Sequence, residues 1–170
     1  MVDLLKRIAF WYYENNLIQV SESEIIIVLI ESIKDLGIAN SEVKSKAYKI
    51  LEILKDRIGI LVEVGYKEYI FTHSVFQDYL AALEIVGKYS EDEIIDMIFK
   101  DNLHSSKNIE IIPLIASLLS QQNRKKGSKF LVNILNYDHK FKKYLPINLE
   151  VVLNCLLYGT KVDGISKEKF

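Results

Sequence analysis

The chain has 170 residues, 49% of them hydrophobic and 26% charged. That balance excludes a disordered segment and fits one domain or two small ones. Its formal net charge of −1 gives no overall basic field to draw nucleic acid or an anionic membrane surface. Seven glycines and two prolines leave few breaks, which favours long helices over a turn-rich sheet. Cys155 has no second cysteine to pair with, and the apolar run from Leu153 to Leu157 suits a buried thiol. The opening MVDLLKRIAFWYYENN carries charges inside its apolar part and has no small-residue cleavage site, so no signal peptide is expected. The longest uncharged apolar run, Ile25–Ile30, falls far short of the roughly 20 residues that span a bilayer. The expected setting is soluble, reducing and cytoplasmic.

From Val2 to about Asn15, residues Leu4, Leu5, Ile8, Trp11 and Tyr12 recur at helical spacing. Ser21 and Glu24 form a capping box, in which hydroxyl and carboxylate satisfy backbone donors reciprocally. The box opens a second helix, Glu22 to Leu36, which Gly37 can end in a left-handed conformation. Asn40 or Ser41 starts a third helix. Its stripe is Val43, Ala47, Ile50, Leu51 and Leu54, with Lys44, Lys46, Lys49 and Lys55 facing elsewhere. The period then changes: Ile60, Val62 and Val64 alternate with Leu61 and Glu63, residues 65–68 supply a turn, and Tyr69 to Phe71 return as a β-hairpin.

After Thr72-His73-Ser74 an amphipathic helix carries Val75, Phe76, Tyr79, Leu80, Leu83 and Val86 on one side. Ser90 and Glu93 form a second capping box, opening a helix to about Lys100. Asn108 to Ser120 is the next helix, with Pro113 either bending it or delaying its start. Gly127-Ser128 precedes a helix ending near Tyr137, and Pro146 suits the first turn of a last helix running to Leu157 before Gly159. The final ten residues, KVDGISKEKF, read as a frayed tail. The expected fold is mainly α: a winged-helix domain of three helices and a hairpin over 1–88, with its C-terminal linking helix. Antiparallel helical hairpins of a solenoid, HEAT-like, type follow over 89–170.

The motifs narrow the chemistry. No segment matches GxxxxGK[ST], GxSxG or HExxH, and His73, His104, His139 and Cys155 lie too far apart for metal-ligand spacing. No catalytic or metal-binding residue is expected, and the acidic residues read as caps and solvated faces. A junction where a strand becomes a helix presents free N–H groups and a positive dipole end, where either a phosphate or an ordinary loop can sit. By itself, His73 there reads first as a structural histidine. The lysine-bearing third helix could enter DNA, but Glu42, Glu52 and Asp56 share it, and the hairpin adds Glu63 and Glu68.

The segment RIGILVEVGYKEYIFTHSVFQDYLAALEIV, Arg57–Val86, resembles the end of the nucleotide-binding module of NACHT-type STAND NTPases. Those proteins read as "GLL-x-E", a short wing and "F-x-H", running into "s-F-Q-E-y-L-A-A". Here Gly59 to Glu63, Phe71-Thr72-His73, Phe76 to Leu80 and Ala81-Ala82 follow that pattern, with Asp78 for the usual Glu and Ile60 for the usual Leu. The opening LLKRIAFWYYENNLIQVSESE resembles the family's first helix of this domain, so the likeness covers about Leu4 to Val86. The resemblance implies a regulatory fragment whose P-loop core lies upstream in the same protein and binds ADP or ATP with Mg. It implies that His73 reaches the β-phosphate of ADP in the closed state, and that Phe71, Phe76, Tyr79 and Leu80 are core and domain-packing residues. Gln77 and Asp78 are either polar interdomain contacts or cap and surface groups. Oligomerisation on activation and a role in signalling or defence follow from the same likeness. Neither nucleic acid nor membrane is an expected partner. The alternative is a stand-alone winged-helix regulator binding DNA through Ser41–Asp56 and the Gly65 wing, with affinity falling steeply in salt. A purely structural interaction domain would depend on neither nucleotide nor DNA.

Overall fold

The computed structural model describes residues 1–35, 40–100, 106–138 and 146–163. Gly37, His104, His139 and the last seven residues of the tail lie outside them. The described residues are mainly helical, with one small antiparallel sheet of three strands. The chain divides into two compact units, Met1–Glu84 and Ile85–Phe170.

In the first unit, α1 (Val2–Glu14) buries Leu4, Leu5, Ile8, Ala9, Phe10 and Tyr12. It ends in a left-handed residue, Asn16 at φ 56°. The N–H groups of Asn16 and Leu17 return to the carbonyls of Tyr13 and Tyr12 at 3.2 and 2.9 Å, the paired bonds of a Schellman motif. Helix α2 (Glu22–Lys34) packs against α1 and against α3 (Asn40–Glu52). Its capping box forms as expected: Ser21 Oγ accepts from Glu24 N–H, and Ser21 N–H donates to Glu24 Oε2 at 2.8 Å. Val43, Ala47, Leu51 and Leu54 of the third stripe are buried, whereas Ile50 is half-buried.

Two features go beyond the sequence reading. Residues Val20–Ser21 form a short strand, β1, ahead of α2. It pairs with β3 (Glu68–Phe71), which also pairs with β2 (Leu61–Gly65), giving the order β1-β3-β2. The third helix does not run on through Leu54; it widens into one π turn, Ile53–Arg57, closed by Ile58 N–H to Ile53 O at 3.0 Å. In the hairpin, Glu63 pairs with Tyr69 and Gly65 with Glu68, so Val64 is the extra residue of a bulge. Lys67 takes φ 57° at the turn, and Glu63 Oε1 accepts its N–H at 2.9 Å. Leu61 points inward and is fully buried, while Val62 and Val64 face water. The buried Tyr12 hydroxyl donates to Tyr69 O at 3.0 Å, and its ring meets Phe71 edge to face at 5.1 Å. Burial holds that phenol well above its ordinary pKa, so it stays a donor.

Helix α4 (Ser74–Lys88) follows, and the residues expected as core and domain-packing divide between inside and surface. Phe71 and Leu80 are buried as core residues, but Phe76 is 53% and Tyr79 43% exposed, and Val75 70%. The buried side of α4 is centred on Ala81, Ala82 and Ile85, about a third of a turn from the Val75–Phe76–Tyr79 stripe. The physical reason is size. Two alanines permit close packing, whereas a reading by hydrophobic bulk assigns the core to the larger residues.

In the second unit, α5 (Glu91–Lys100) starts at the Ser90–Glu93 box, with Ser90 N–H to Glu93 Oε2 at 2.8 Å. Helix α6 (Ser106–Gln122) begins seven residues before Pro113, which lies buried inside it and delays nothing. Helix α7 (Arg124–Asn136) packs on α6 and α5, and α8 (Ile147–Leu157) on both α6 and α7. Gly127-Ser128 lies inside α7 rather than before it, a correction. Asn123 caps the helix by accepting from Lys125 N–H at 2.9 Å, and a Cβ at Gly127 would lie 2.6 Å from Ser120 Cβ of α6. Asn148 ties α8 to α7, donating to Ile134 O and Tyr137 O at 2.7 and 2.9 Å. Cys155 is fully buried, which pushes its thiol pKa up to about 12. On the outer side of α8, Leu149, Leu153 and Leu157 are 49%, 50% and 83% exposed. No described helix is long and apolar enough to cross a membrane.

Candidate functional site

His73 stands where β3 ends and α4 begins. Its carbonyl accepts from Phe76 N–H at 3.1 Å and Gln77 N–H at 3.4 Å, so it occupies the cap position of the helix. The imidazole is exposed and lies 5.8 Å from the Phe76 ring, tilted by 46°. Among the described residues it has no hydrogen-bond partner. The residue before it is held firmly: Thr72 Oγ1 donates to Gly59 O at 2.5 Å, and Thr72 N–H to Ile60 O at 2.9 Å. On the same helix Val75, Phe76 and Tyr79 are exposed, and of these Phe76 neighbours the imidazole. Gln77 and Asp78 are half-buried on the other side of α4.

Chemically, this corner can donate. A neutral imidazole offers one N–H and its cation two, and the first-turn amides of α4 add the positive end of a helix dipole. An anion is the ligand such a corner suits. A metal is not: among the described residues, no three His, Cys, Asp or Glu side chains gather to hold one.

The surface of α3 and the hairpin carries lysines, but several are already engaged by carboxylates. Lys46 pairs with Glu42 at 2.8 Å, Lys55 with Glu63 at 3.6 Å, and Lys67 with Glu22 at 3.0 Å. Hydrogen bonding to Glu22 raises the Lys67 pKa. Phosphate contacts from this face would first have to break those pairs, which works against affinity for a nucleic-acid backbone.

No family model, curated protein or solved structure matches this chain. The reading of the site therefore rests on its residues and their geometry. The feature that sequence reasoning missed is the clasp at Thr72. A threonine before a histidine carries no signal of the carbonyl it will meet thirteen residues earlier.

Proposed function

We propose that this chain is the winged-helix and helical regulatory segment of a NACHT-type STAND NTPase. In this reading, His73 contacts the β-phosphate of ADP bound by a P-loop core elsewhere in the same protein. The observation that carries the reading is the exposed imidazole at the cap of α4, 5.8 Å from the exposed Phe76 ring. The order of helices, short strand and hairpin supports it, as does the pattern of residues from Gly59 to Ala82. The nucleotide supplies the negative charge. This chain supplies a donor at His73 and an apolar surface at Val75, Phe76 and Tyr79. Any magnesium ion belongs with the P-loop core.

Magnitudes say how the work divides. One hydrogen bond to a charged group contributes about 1.5–3 kcal/mol. Moving a two-state equilibrium from 1:99 to 99:1 takes roughly 5.5 kcal/mol. His73 can therefore bias a closed state but does not hold it alone, and packing of the surface that includes exposed Val75, Phe76 and Tyr79 supplies the rest. In this reading the winged-helix domain reports nucleotide state by docking or release as a near-rigid body.

The test is His73→Ala in the full protein that carries the P-loop core. ADP retained through gel filtration should fall, and basal activation should rise. Unchanged retention together with unchanged basal activity removes His73 from this role.

A further inference from the structure

The end of α3 and the start of α4 are joined by one small clasp. On one side, the π turn fixes the link to β2: Ile58 N–H reaches Ile53 O at 3.0 Å, and Ile60 N–H reaches Leu54 O at 3.2 Å. Gly59 lies between them at φ 65°, a left-handed conformation that side chains disfavour. On the other side, Thr72 bonds twice to that same link, by its hydroxyl to Gly59 O at 2.5 Å and by its N–H to Ile60 O at 2.9 Å. His73 is the next residue. Turning the π turn into an α turn changes the register by one residue, about 100° of rotation and about 1.5 Å of rise. A hydrogen bond of this length does not survive such a displacement.

We propose that Thr72 is the positioning residue of His73, and that it works by clasping the end of β3 to the π turn, so that the register at the end of α3 sets where the imidazole stands. Its meaning for nucleotide rests on the function proposed above. The clasp itself does not.

The test uses the 170-residue chain with Thr72→Val, which removes the donor and keeps the shape, and Thr72→Ser, which keeps the donor. The readouts are the ring resonances of His73 in proton–carbon NMR spectra and amide exchange at Ile58 and Ile60. Thr72→Val should move the His73 resonances and speed exchange at both amides by about two- to tenfold, the span of one net hydrogen bond. Tyr69 and Ile70, within the hairpin, should keep their protection, and Thr72→Ser should match the wild type. Unmoved His73 resonances with unchanged exchange in Thr72→Val overturn the proposal. So does a Thr72→Ser variant that behaves like Thr72→Val. Neither readout involves nucleotide, so a clasp that passes while His73→Ala leaves ADP retention intact would discard the phosphate contact alone.

Discussion

Replacing Gly127 by alanine sets two terms of known sign against each other. Within a helix, glycine is less favourable than alanine by about 1 kcal/mol, so propensity alone rewards the change. Packing opposes it. A Cβ at Gly127 would lie 2.6 Å from Ser120 Cβ and 2.9 Å from Ser120 Cα, roughly 1 Å inside ordinary carbon–carbon contact. Neither atom can rotate away, because both belong to the backbone frame of α6. The helices must part, and Ser120 also accepts from Lys161 N–H at 3.2 Å and donates to Ser117 O at 2.8 Å. Overpacking of this kind costs about 1–3 kcal/mol and commonly exceeds the propensity gain where backbone cannot yield. The expected net loss is up to about 2 kcal/mol. In a unit of this size that lowers Tm by about 4–8 °C per kcal/mol. Gly87→Ala is the internal control. It sits in α4 with nothing within 4 Å of a new Cβ, so propensity acts alone and stability should rise by up to about 1 kcal/mol. Thermal and urea unfolding of the whole chain, followed by circular dichroism, compares the three proteins. A Gly127→Ala chain stabilised as much as Gly87→Ala would refute the reasoning, because the contact with Ser120 would then cost nothing.

Two further outcomes follow from the first unit. Ser21→Ala removes the cap of α2 and should cost about 1 kcal/mol at pH 7. The Ser21 hydroxyl, then its N–H, lower the Glu24 pKa. A lowered folded pKa means that the carboxylate stabilises above its ordinary range, and that this is lost as pH falls through the folded value. The gap between wild type and Ser21→Ala in urea midpoint should therefore narrow from pH 7 to pH 3. A constant gap would count against the carboxylate's part in the cap. Asn16→Gly should stabilise by up to about 1 kcal/mol, because φ 56° strains any side chain, whereas Asn16→Val should destabilise by about 1–2 kcal/mol. Calorimetry that ranks the valine variant at or above the wild type would contradict the left-handed cap.

What the sequence disclosed depended on how local the cause was. Both capping boxes are contained in four residues each, and both form. The hairpin and the strand-to-helix junction at His73 were legible for the same reason, a change of period at a turn. Strand β1 was not, since Val20–Ser21 extends only where β3 offers it a ladder. The π turn has no composition of its own: Ile53 to Arg57 continues the helical pattern. Around Gly127 the signal was present but read wrongly. A glycine within a helix marked a close helix approach, not a start, and Asn123 was the cap to notice. On α4, hydrophobic bulk did not separate inside from outside, because Ala81, Ala82 and Ile85 are fully buried while Phe76 and Tyr79 are exposed.

The outer row of α8 has a consequence for handling the protein. Leu149, Leu153 and Leu157 carry no charge, so added sodium chloride cannot screen attraction through them as it would between ion pairs. Sulfate and phosphate, which favour burial of apolar surface, should lower solubility through this face, and cooling should ease it. Temperature and choice of anion, rather than ionic strength, are the variables that decide how concentrated a solution of this chain stays clear.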